Sequence, residues 1–378
     1  MNSSHPVPQA GRPVWCLGLM SGTSMDGVDA ALILTDGETI ADFGPTHFRP
    51  YKERERDAMR AALKEARGLD DRSARPPALA EAERIVTDCH IEVVRTLVAK
   101  ADEAGIAAAL VGFHGQTVFH APDRRLTVQI GDGARLAHET GLPVIFDMRA
   151  ADVASGGQGA PLVPVYHRAL AQRAGLALPV VLANLGGVAN ITYLGADGTL
   201  GAFDTGPANA LMDDFISRRL GHAFDEAGQI AAKGRVYEAT LARLMDNPYF
   251  AAPWPKSLDR DAFDASAVEA LSVEDGLATL AAFTARSLAA GIALLPDRPT
   301  RIVAVGGGAR NPVLLGHIAE ACGVDAVAGD TLGFAGDFVE AQAFGFLAAR
   351  SVRGLPLTFP GTTGVREPMR GGVVAEAA

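Results

Sequence analysis

One short pattern occurs twice in this chain, once in each half, and it restricts the folds that the chain can adopt. The first copy is residues 17–30 (LGLMSGTSMDGVDA) and the second is residues 181–192 (VLANLGGVANIT). In each copy, two apolar stretches of strand type flank a turn of small residues. Gly22 and Gly186 are 164 residues apart (186 − 22), close to half of the 378 residues. This spacing predicts a duplicated fold with one hairpin in each half.

The first of these turns carries chemistry suited to an anion. A tight glycine turn directs backbone N–H groups and small hydroxyls toward one point, as phosphate binding requires. Gly22 and Gly27 have the G-x-x-x-x-G spacing, but Val28 and Asp29 replace the Lys-Ser/Thr pair of a Walker A loop. The pattern around Ser24 lacks the second glycine of a nucleophile elbow. An ordinary hairpin turn is the alternative, and the high hydroxyl content favours phosphate binding.

Strand and helix patterns alternate along the chain, which predicts an α/β fold with a parallel or mixed sheet covered by helices. A chain of 378 residues is long for one core, and its 48% hydrophobic content is ample for two. We expect the domain boundary near residues 175–179, with a first domain at 1–176 and a second at 177–378. The sequence does not decide in which domain the last predicted helix, about 339–352, packs.

Composition excludes several classes of protein. The net charge of −10 argues against a surface for nucleic acid or an anionic membrane. There is no run of about 18 uncharged apolar residues, so no membrane span is expected. Cys16, Cys89 and Cys322 are widely spaced and form no CxxC pair, which favours reduced core thiols over disulfides or a zinc site. The first residues also lack the pattern of a signal peptide, and we expect a cytoplasmic protein.

Asp204 is the candidate catalytic base. It lies in the stretch FDTGPAN, where a predicted strand meets a glycine turn ahead of a helix at 210–220. A carboxylate at that point is fixed by the sheet and still open to a ligand. The alternative is a helix N-cap, for which Asp is a preferred residue. Thr205 or Asn209 could supply the cap instead, which would free Asp204.

Three further segments place polar or glycine residues directly after strands. Residues 306–312 (GGGARNP) follow the strand 301–305, and three successive glycines let a base or ribose lie against the backbone. This is not the G-x-G-x-x-G fingerprint, and a plain strand-to-helix loop is the alternative. Residues 114–117 (HGQT) and 129–132 (QIGD) suit hydrogen bonding to a hydroxylated ligand. For His114 and His120 the spacing does not indicate a metal site, and a structural role is expected.

Seven segments taken in order resemble the anhydro-N-acetylmuramic acid kinase family, from residue 17 to about 350. They are LGLMSGTSMDG, GFHGQT, QIGDG, FDMRAADVASGGQGAPLVP, NLGGVANIT, FDTGPAN and GGGARNP. The resemblance implies a two-domain actin-like ATPase fold, a duplicated ribonuclease-H-like fold with a nucleotide and substrate cleft between domains. It implies ATP- and Mg²⁺-dependent conversion of 1,6-anhydro-N-acetylmuramic acid to N-acetylmuramic acid 6-phosphate in cell-wall recycling. The family's habit also implies a homodimer.

The resemblance implies site roles for individual residues. Asp204 is the expected base, and Asp26 is expected to hold Mg²⁺ through water. Nucleotide contacts are implied for Gly22, Thr23, Ser24, Met25, Asp26, Gly27, Val28, Asp29, Gly186, Gly187, Gly306, Gly307, Gly308 and Asn311. Substrate contacts are implied for Gln116, Thr117, Arg149, Asn209 and Glu340. For Glu340 the alternative is an acid favoured at a helix N-terminus by the helix dipole.

Two other functions are compatible with parts of this pattern. An ordinary sugar kinase would keep both phosphate hairpins and use Asp204 to deprotonate a substrate hydroxyl. A chaperone-type or filament-type ATPase would carry a peptide-binding extension or long polymer-contact insertions. Neither feature is seen in the sequence, since only a short tail follows residue 350.

Overall fold

The computed structural model describes residues 6–258 and 262–377, which form two compact units. Unit 1 comprises the residues up to Arg173 together with those from Phe338 onward, and unit 2 comprises Ala174–Asp337. The strands are β1 (Val14–Ser21), β2 (Gly27–Thr35), β3 (Ile40–Pro50), β4 (Ala108–Ala121), β5 (Leu126–Ile130), β6 (Val144–Phe146), β7 (Val180–Leu185), β8 (Val188–Leu194), β9 (Leu200–Pro207), β10 (Ile302–Val305), β11 (Ala326–Ala328) and β12 (Val373–Ala375). The helices are α1 (Glu53–Ala66), α2 (Pro77–Glu103), α3 (Gly133–Thr140), α4 (Ala150–Ala154), α5 (Pro164–Arg173), α6 (Asn209–Leu220), α7 (Glu238–Met245), α8 (Val273–Ile292), α9 (Pro312–Cys322), α10 (Val339–Val352) and α11 (Pro360–Thr363).

The sheets of the two units share one strand order. In unit 1 the order is β3-β2-β1-β4-β6, with β12 beyond β6 and β5 paired with β4; in unit 2 it is β9-β8-β7-β10-β11. In both sheets the first three strands in sequence are antiparallel. Two later strands then join the first strand's side in parallel. The duplicated α/β fold predicted from the two hairpins is confirmed by this repeated order.

Apolar helix faces cover the sheets. In unit 1, Val86, Val93, Val94 and Leu97 of α2 are fully buried, as the 3.6-residue periodicity of this segment predicts. In unit 2, α8 is buried along most of its length. Removing side chains of this size from water contributes about 1.5–3 kcal/mol each, so the packing of these helices stabilises the sheets.

The packing of α10 corrects the predicted second domain, 177–378. Gly18 of β1 and Gly112 of β4 lie against the backbone of Ala341 and Phe344, and a Cβ on either glycine would overlap that backbone. Glycine in these strands therefore lets α10 approach the sheet of unit 1 closely. A helix buried on nearly every side gives no sequence signal for the sheet that covers it, and residues from Phe338 onward belong to unit 1.

Candidate functional site

The first turn, residues 22–26, joins β1 to β2 and is open to solvent at its tip. Thr23, Ser24 and Asp26 are exposed. The N–H of Met25 donates to the Gly22 carbonyl (3.2 Å), and Ser24 Oγ donates to Asp26 Oδ1 (2.7 Å). Within the described part of the chain, the N–H groups of Thr23 and Ser24 donate to no protein acceptor. The turn thus offers backbone donors and hydroxyls to an anion.

The second turn, residues 186–187, joins β7 to β8 and is fixed by the start of α6. The N–H of Asn209 donates to the Gly186 carbonyl (2.9 Å), and those of Ala208 and Ala210 donate to the Gly187 carbonyl (3.0 and 3.2 Å). The N–H groups of Gly186 and Gly187 have no acceptor among the described residues. Since the carbonyl groups are engaged and the N–H groups are not, this turn too presents donors.

The fold itself does not require glycine at the tips of the two turns. Neither Gly22 nor Gly186 has a positive φ. A Cβ at Gly22 would lie 3.6 Å from Ser24 Oγ, and one at Gly186 would lie 3.7 Å from the Val188 carbonyl oxygen, both ordinary van der Waals distances. Gly306 differs, because its φ is +79° and its Cβ would lie 2.5 Å from Asn184 Oδ1. Gly308 would meet Leu185 Cβ at 2.7 Å. Glycine at the two turns leaves room for a ligand, whereas Gly306 and Gly308 serve the packing of the strand end.

Gln116 supports the first turn from the buried side. Its Oε1 accepts from Ser21 Oγ (2.6 Å) and its Nε2 donates to the Gly22 carbonyl (3.1 Å). Because the Ser21 proton goes to Gln116, the Tyr51 hydroxyl donates to Ser21 Oγ (2.9 Å). The Gln116 side chain is 1% exposed. Its amide therefore positions the turn, and the substrate contact expected for it stays a prediction.

Asp204 lies near the end of β9 and is held by the segment that follows α7. Its N–H donates to the Lys256 carbonyl (3.0 Å), its carbonyl accepts from the Tyr249 hydroxyl (2.6 Å), and Oδ2 accepts from the Leu258 N–H (2.8 Å). Burial raises the pKa of the Asp204 carboxyl to about 6, against the opposing effect of the Leu258 N–H. Among the described residues, Oδ1 has no hydrogen-bond partner. A fixed carboxylate of this pKa suits general base catalysis near neutral pH.

The start of α6 differs from the expectation that Thr205 or Asn209 caps it. The residue before the helix is Ala208, and no side chain accepts from the first N–H groups. Thr205 Oγ1 donates to the Ala189 carbonyl (3.3 Å), and Asn209 Nδ2 donates to the Leu185 carbonyl (2.9 Å). The cap prediction is wrong because the carbonyls of the second turn already take these N–H groups. Asp204 is not the cap either, which leaves its carboxylate for chemistry.

Polar side chains of unit 1 gather around Arg149. The guanidinium donates through Nε and Nη2 to His114 Nε2 (3.3 and 3.1 Å) and through Nη1 to the Gly159 carbonyl (2.8 Å). Burial lowers the pKa of Arg149 to about 10, with the charges of Glu340 and Asp152 opposing, so it remains a cation at neutral pH. Glu340 is exposed in the first turn of α10. Of the five predicted substrate residues, all but Asn209 lie in unit 1. Thr117 accepts a hydrogen bond from Gln129 Nε2 (3.2 Å).

A cavity of about 650 Å³ opens in unit 2 beside the triple glycine. Gly307, Gly308 and Asn311 line it, together with Asn209 and Phe224. Asn311 also caps α9, since its Oδ1 accepts from the N–H three residues on (3.0 Å). The Phe224 ring is 61% exposed and presents a flat apolar face. Sequence reasoning missed Phe224, although an isolated aromatic in the polar stretch GHAFDE was an available signal.

The donors suit Mg²⁺ only as a water-mediated ion. Within residues 6–258 and 262–377, no group of three or more His, Cys, Asp or Glu side chains could hold a metal ion. Asp26 supplies one exposed carboxylate at the first turn. Mg²⁺ usually keeps several waters and takes one or two carboxylates with substrate phosphates, so this sparse donor set fits it.

No helix in the described ranges is long and apolar enough to cross a membrane.

The family model and the curated relatives that match this sequence agree on one family. A family model described as anhydro-N-acetylmuramic acid kinase matches residues 14–377. A protein of that name from Rhodopseudomonas palustris (strain HaA2) is 54% identical over 360 residues, covering 95% of this chain and 98% of the relative. One from Methylobacterium nodulans is 49% identical over 372 residues, covering 95% and 99%. Among solved structures, a xyloylose kinase from Brucella ovis aligns with a TM-score of 0.41 at 14% identity, covering 96% and 95%.

Proposed function

Since this chain belongs to the anhydro-N-acetylmuramic acid kinase family, we propose that it opens 1,6-anhydro-N-acetylmuramic acid with water and phosphorylates O6. Family membership makes it a phosphotransferase with an alcohol group as acceptor and implies ATP as the phosphoryl donor. The proposed products are N-acetylmuramic acid 6-phosphate and ADP. The proposed setting is cell-wall recycling in the cytoplasm, by a homodimer.

The substrate explains why hydrolysis and phosphorylation belong together. In the anhydro sugar O6 is bonded to C1, so O6 is not a free nucleophile until that bond breaks. Water attacks C1, the C1–O6 bond breaks, and O6 takes the γ-phosphoryl group as it leaves. A glycosidase would protonate this leaving oxygen with an acid, and phosphorylation removes that need. One carboxylate base is then sufficient.

Asp204 is the observation that carries the proposal. Its carboxylate accepts the proton of the attacking water, which gives the hydroxyl at C1. The pKa of about 6 keeps Asp204 ionised at neutral pH while leaving it basic enough to take a proton. The contacts to Tyr249, Lys256 and Leu258 fix the carboxylate before substrate arrives, and such preorganisation is what a positioned base requires.

The two turns are proposed phosphate sites. The N–H groups of Thr23, Ser24, Gly186 and Gly187 supply donors, and open space at Gly22 and Gly186 allows close approach. The other residues from 22 to 29 are proposed to contact the nucleotide as well. Asp26 would hold Mg²⁺ through water. When bound there, the ion would neutralise charge on the phosphates.

The cavity beside Gly306–Gly308 is the proposed adenosine site. Its volume is within the range of small-molecule pockets, and the exposed Phe224 ring offers a stacking surface for a base. Gly307 and Asn311 contribute to its wall.

For the sugar, Arg149 is proposed to bind the lactyl carboxylate, because guanidinium and carboxylate pair through two parallel hydrogen bonds. Gln116, Thr117, Asn209 and Glu340 remain proposed contacts.

Mass spectrometry of the product formed in ¹⁸O-labelled water tests the proposal. Purified protein is given 1,6-anhydro-N-acetylmuramic acid, ATP and Mg²⁺. We expect a product with one phosphate and one heavy oxygen at C1, absent with Asp204→Asn. A phosphorylated product without the added water, or ADP formed with the sugar unchanged, would reject the hydrolytic reaction in favour of an ordinary kinase or an ATPase.

A further inference from the structure

The bonds that hold Arg149 leave part of its guanidinium available. A guanidinium has five N–H donors. The bonds to His114 occupy the Nε donor and one on Nη2, and the Gly159 carbonyl occupies one on Nη1. Within the part of the chain that the structure describes, one donor on Nη1 and one on Nη2 are not used by these bonds. Donors on both terminal nitrogens are what bidentate recognition of a carboxylate needs.

His114 meets Arg149 as an acceptor. Its Nδ1 lies 2.8 Å from the Gly115 carbonyl and 3.2 Å from the Ser21 carbonyl, so this nitrogen carries the proton. Nε2 then has a free lone pair, which receives the two Arg149 donors. Burial, together with the charge of Arg149, lowers the pKa of His114 to about 3. The ring is therefore neutral, and an acceptor, at any pH near neutrality.

The strand pairing explains why His114 can hold this position. It lies in β4, which runs parallel to β1 up to Ser21, the residue just before the first turn. The ring also packs on Phe344 of α10, with centroids 4.7 Å apart. His114 is 6% exposed, so its ring is fixed by packing on one side and by two carbonyls on another. A rigid acceptor of this kind determines the orientation of the more flexible Arg149 side chain.

We infer that His114 is a positioning residue that directs the free donors of Arg149 at the carboxylate of the sugar, and so sets the preference for an acidic over a neutral anhydro sugar. The inference rests on the proposed function, in particular on Arg149 as the carboxylate contact. Without His114, Arg149 keeps its charge and its bond to the Gly159 carbonyl but loses the two bonds to the imidazole that fix the orientation of the guanidinium. Orientation matters because a freely rotating side chain must be ordered when the ligand binds.

The test compares kcat/KM for 1,6-anhydro-N-acetylmuramic acid and for its lactyl amide, which replaces the carboxylate by a neutral group. His114→Phe keeps a ring against Phe344 and removes both nitrogens. His114→Gln keeps an acceptor near the position of Nε2. We expect the acid-to-amide preference to fall about tenfold in His114→Phe, mainly through a higher KM for the acid sugar. A tenfold fall corresponds to about 1.4 kcal/mol. His114→Gln should recover most of that preference.

Equal losses for both sugars, or an unchanged preference in a folded His114→Phe protein, would overturn the inference. If His114→Phe does not fold, His114→Leu, which also removes both ring nitrogens, and Arg149→Lys carry the test as single and double variants. Their effects on the preference must then be less than additive, because the two residues act as one unit; additive effects would contradict the inference. Failure of the proposed function is seen separately, as a wild-type protein that does not phosphorylate the acid sugar.

Discussion

Ser21 and Gln116 are joined by a buried hydrogen bond of 2.6 Å between Oγ and Oε1, although they are 95 residues apart in sequence. Ser21 ends β1 and Gln116 lies in β4, and the two residues pair in the parallel register of these strands. The Gln116 side chain also donates to the Gly22 carbonyl, and the Tyr51 hydroxyl forms a hydrogen bond with Ser21 Oγ. The first turn is therefore fixed by side chains that do not form its surface.

Replacing Gln116 by Ala should weaken both stability and nucleotide binding. The change removes two hydrogen bonds that hold the turn, leaving the Ser21 hydroxyl with Tyr51 and the Gly22 carbonyl with the Met25 N–H as their remaining partners. We expect the free energy of unfolding to fall by about 1–3 kcal/mol and the KM for ATP to rise more than the KM for the sugar. Denaturant unfolding and steady-state kinetics measure these. Gln172→Ala, at an exposed position in α5, is the control and should stay within about 0.5 kcal/mol.

Asp204→Asn should abolish most of the chemical step while preserving binding. Loss of a general base costs about 10²- to 10⁴-fold in rate. We expect kcat to fall in this range with the ATP dissociation constant within about twofold of wild type, because the amide keeps the size of the side chain. Rapid-quench kinetics and calorimetric titration provide the two values. Asp246→Asn, at an exposed site in the same unit, should be neutral; a small effect of Asp204→Asn would remove Asp204 from the mechanism.

The pH dependence of kcat/KM should report the raised pKa of Asp204. The base acts in its ionised form, and burial raises its pKa to about 6. Activity should therefore rise about tenfold per pH unit up to about pH 6 and level off above it. His114 should not contribute between pH 5 and 8, because its pKa is lowered to about 3. A profile that is flat from pH 5 to 8 would be incompatible with this assignment.

Glycine-to-alanine changes at the turns should separate ligand binding from folding. A Cβ fits at Gly22 and Gly186, so Gly22→Ala and Gly186→Ala should change the free energy of unfolding by less than about 1 kcal/mol. Each should nevertheless weaken ATP binding about tenfold, the cost of one impaired hydrogen bond to a charged group. Gly306→Ala is the contrasting variant, since its φ is +79° and the fold itself should be destabilised. Unchanged ATP affinity in both turn variants would argue against phosphate at these sites.

Glu340→Gln decides between two roles for an acid at the start of α10. If Glu340 only interacts with the helix dipole, its loss costs about 0.3–1 kcal/mol of stability and leaves activity unchanged. If it contacts the sugar beside Arg149, as we propose, kcat/KM for the sugar falls about tenfold or more, at the scale of one charged hydrogen bond. Thermal unfolding and initial rates distinguish these outcomes. Glu367→Gln, exposed in the same unit, is the matched control.

The sequence by itself determined mainly those features of this protein that depend on residues close together in the chain. The two hairpins, the strand 126–130, the amphipathic face of α2 and Pro312 at the start of α9 are all as expected, because each depends on residues close in sequence. The family, too, was evident from motifs that are themselves local segments. Asp204 at a strand end belongs to the same class of signal, although its role as a base stays a prediction.

What only the tertiary structure decided depends on contacts between distant segments. The N–H groups of α6 are satisfied by the second turn rather than by Thr205 or Asn209, and α10 returns to unit 1. The pKa of Asp204 is raised by residues that bury it from elsewhere in the chain, and His114 meets Arg149 across 35 residues. Periodicity describes which face of an element is apolar, but not which partner covers it. The partners of buried polar groups therefore appear only when the chain is folded.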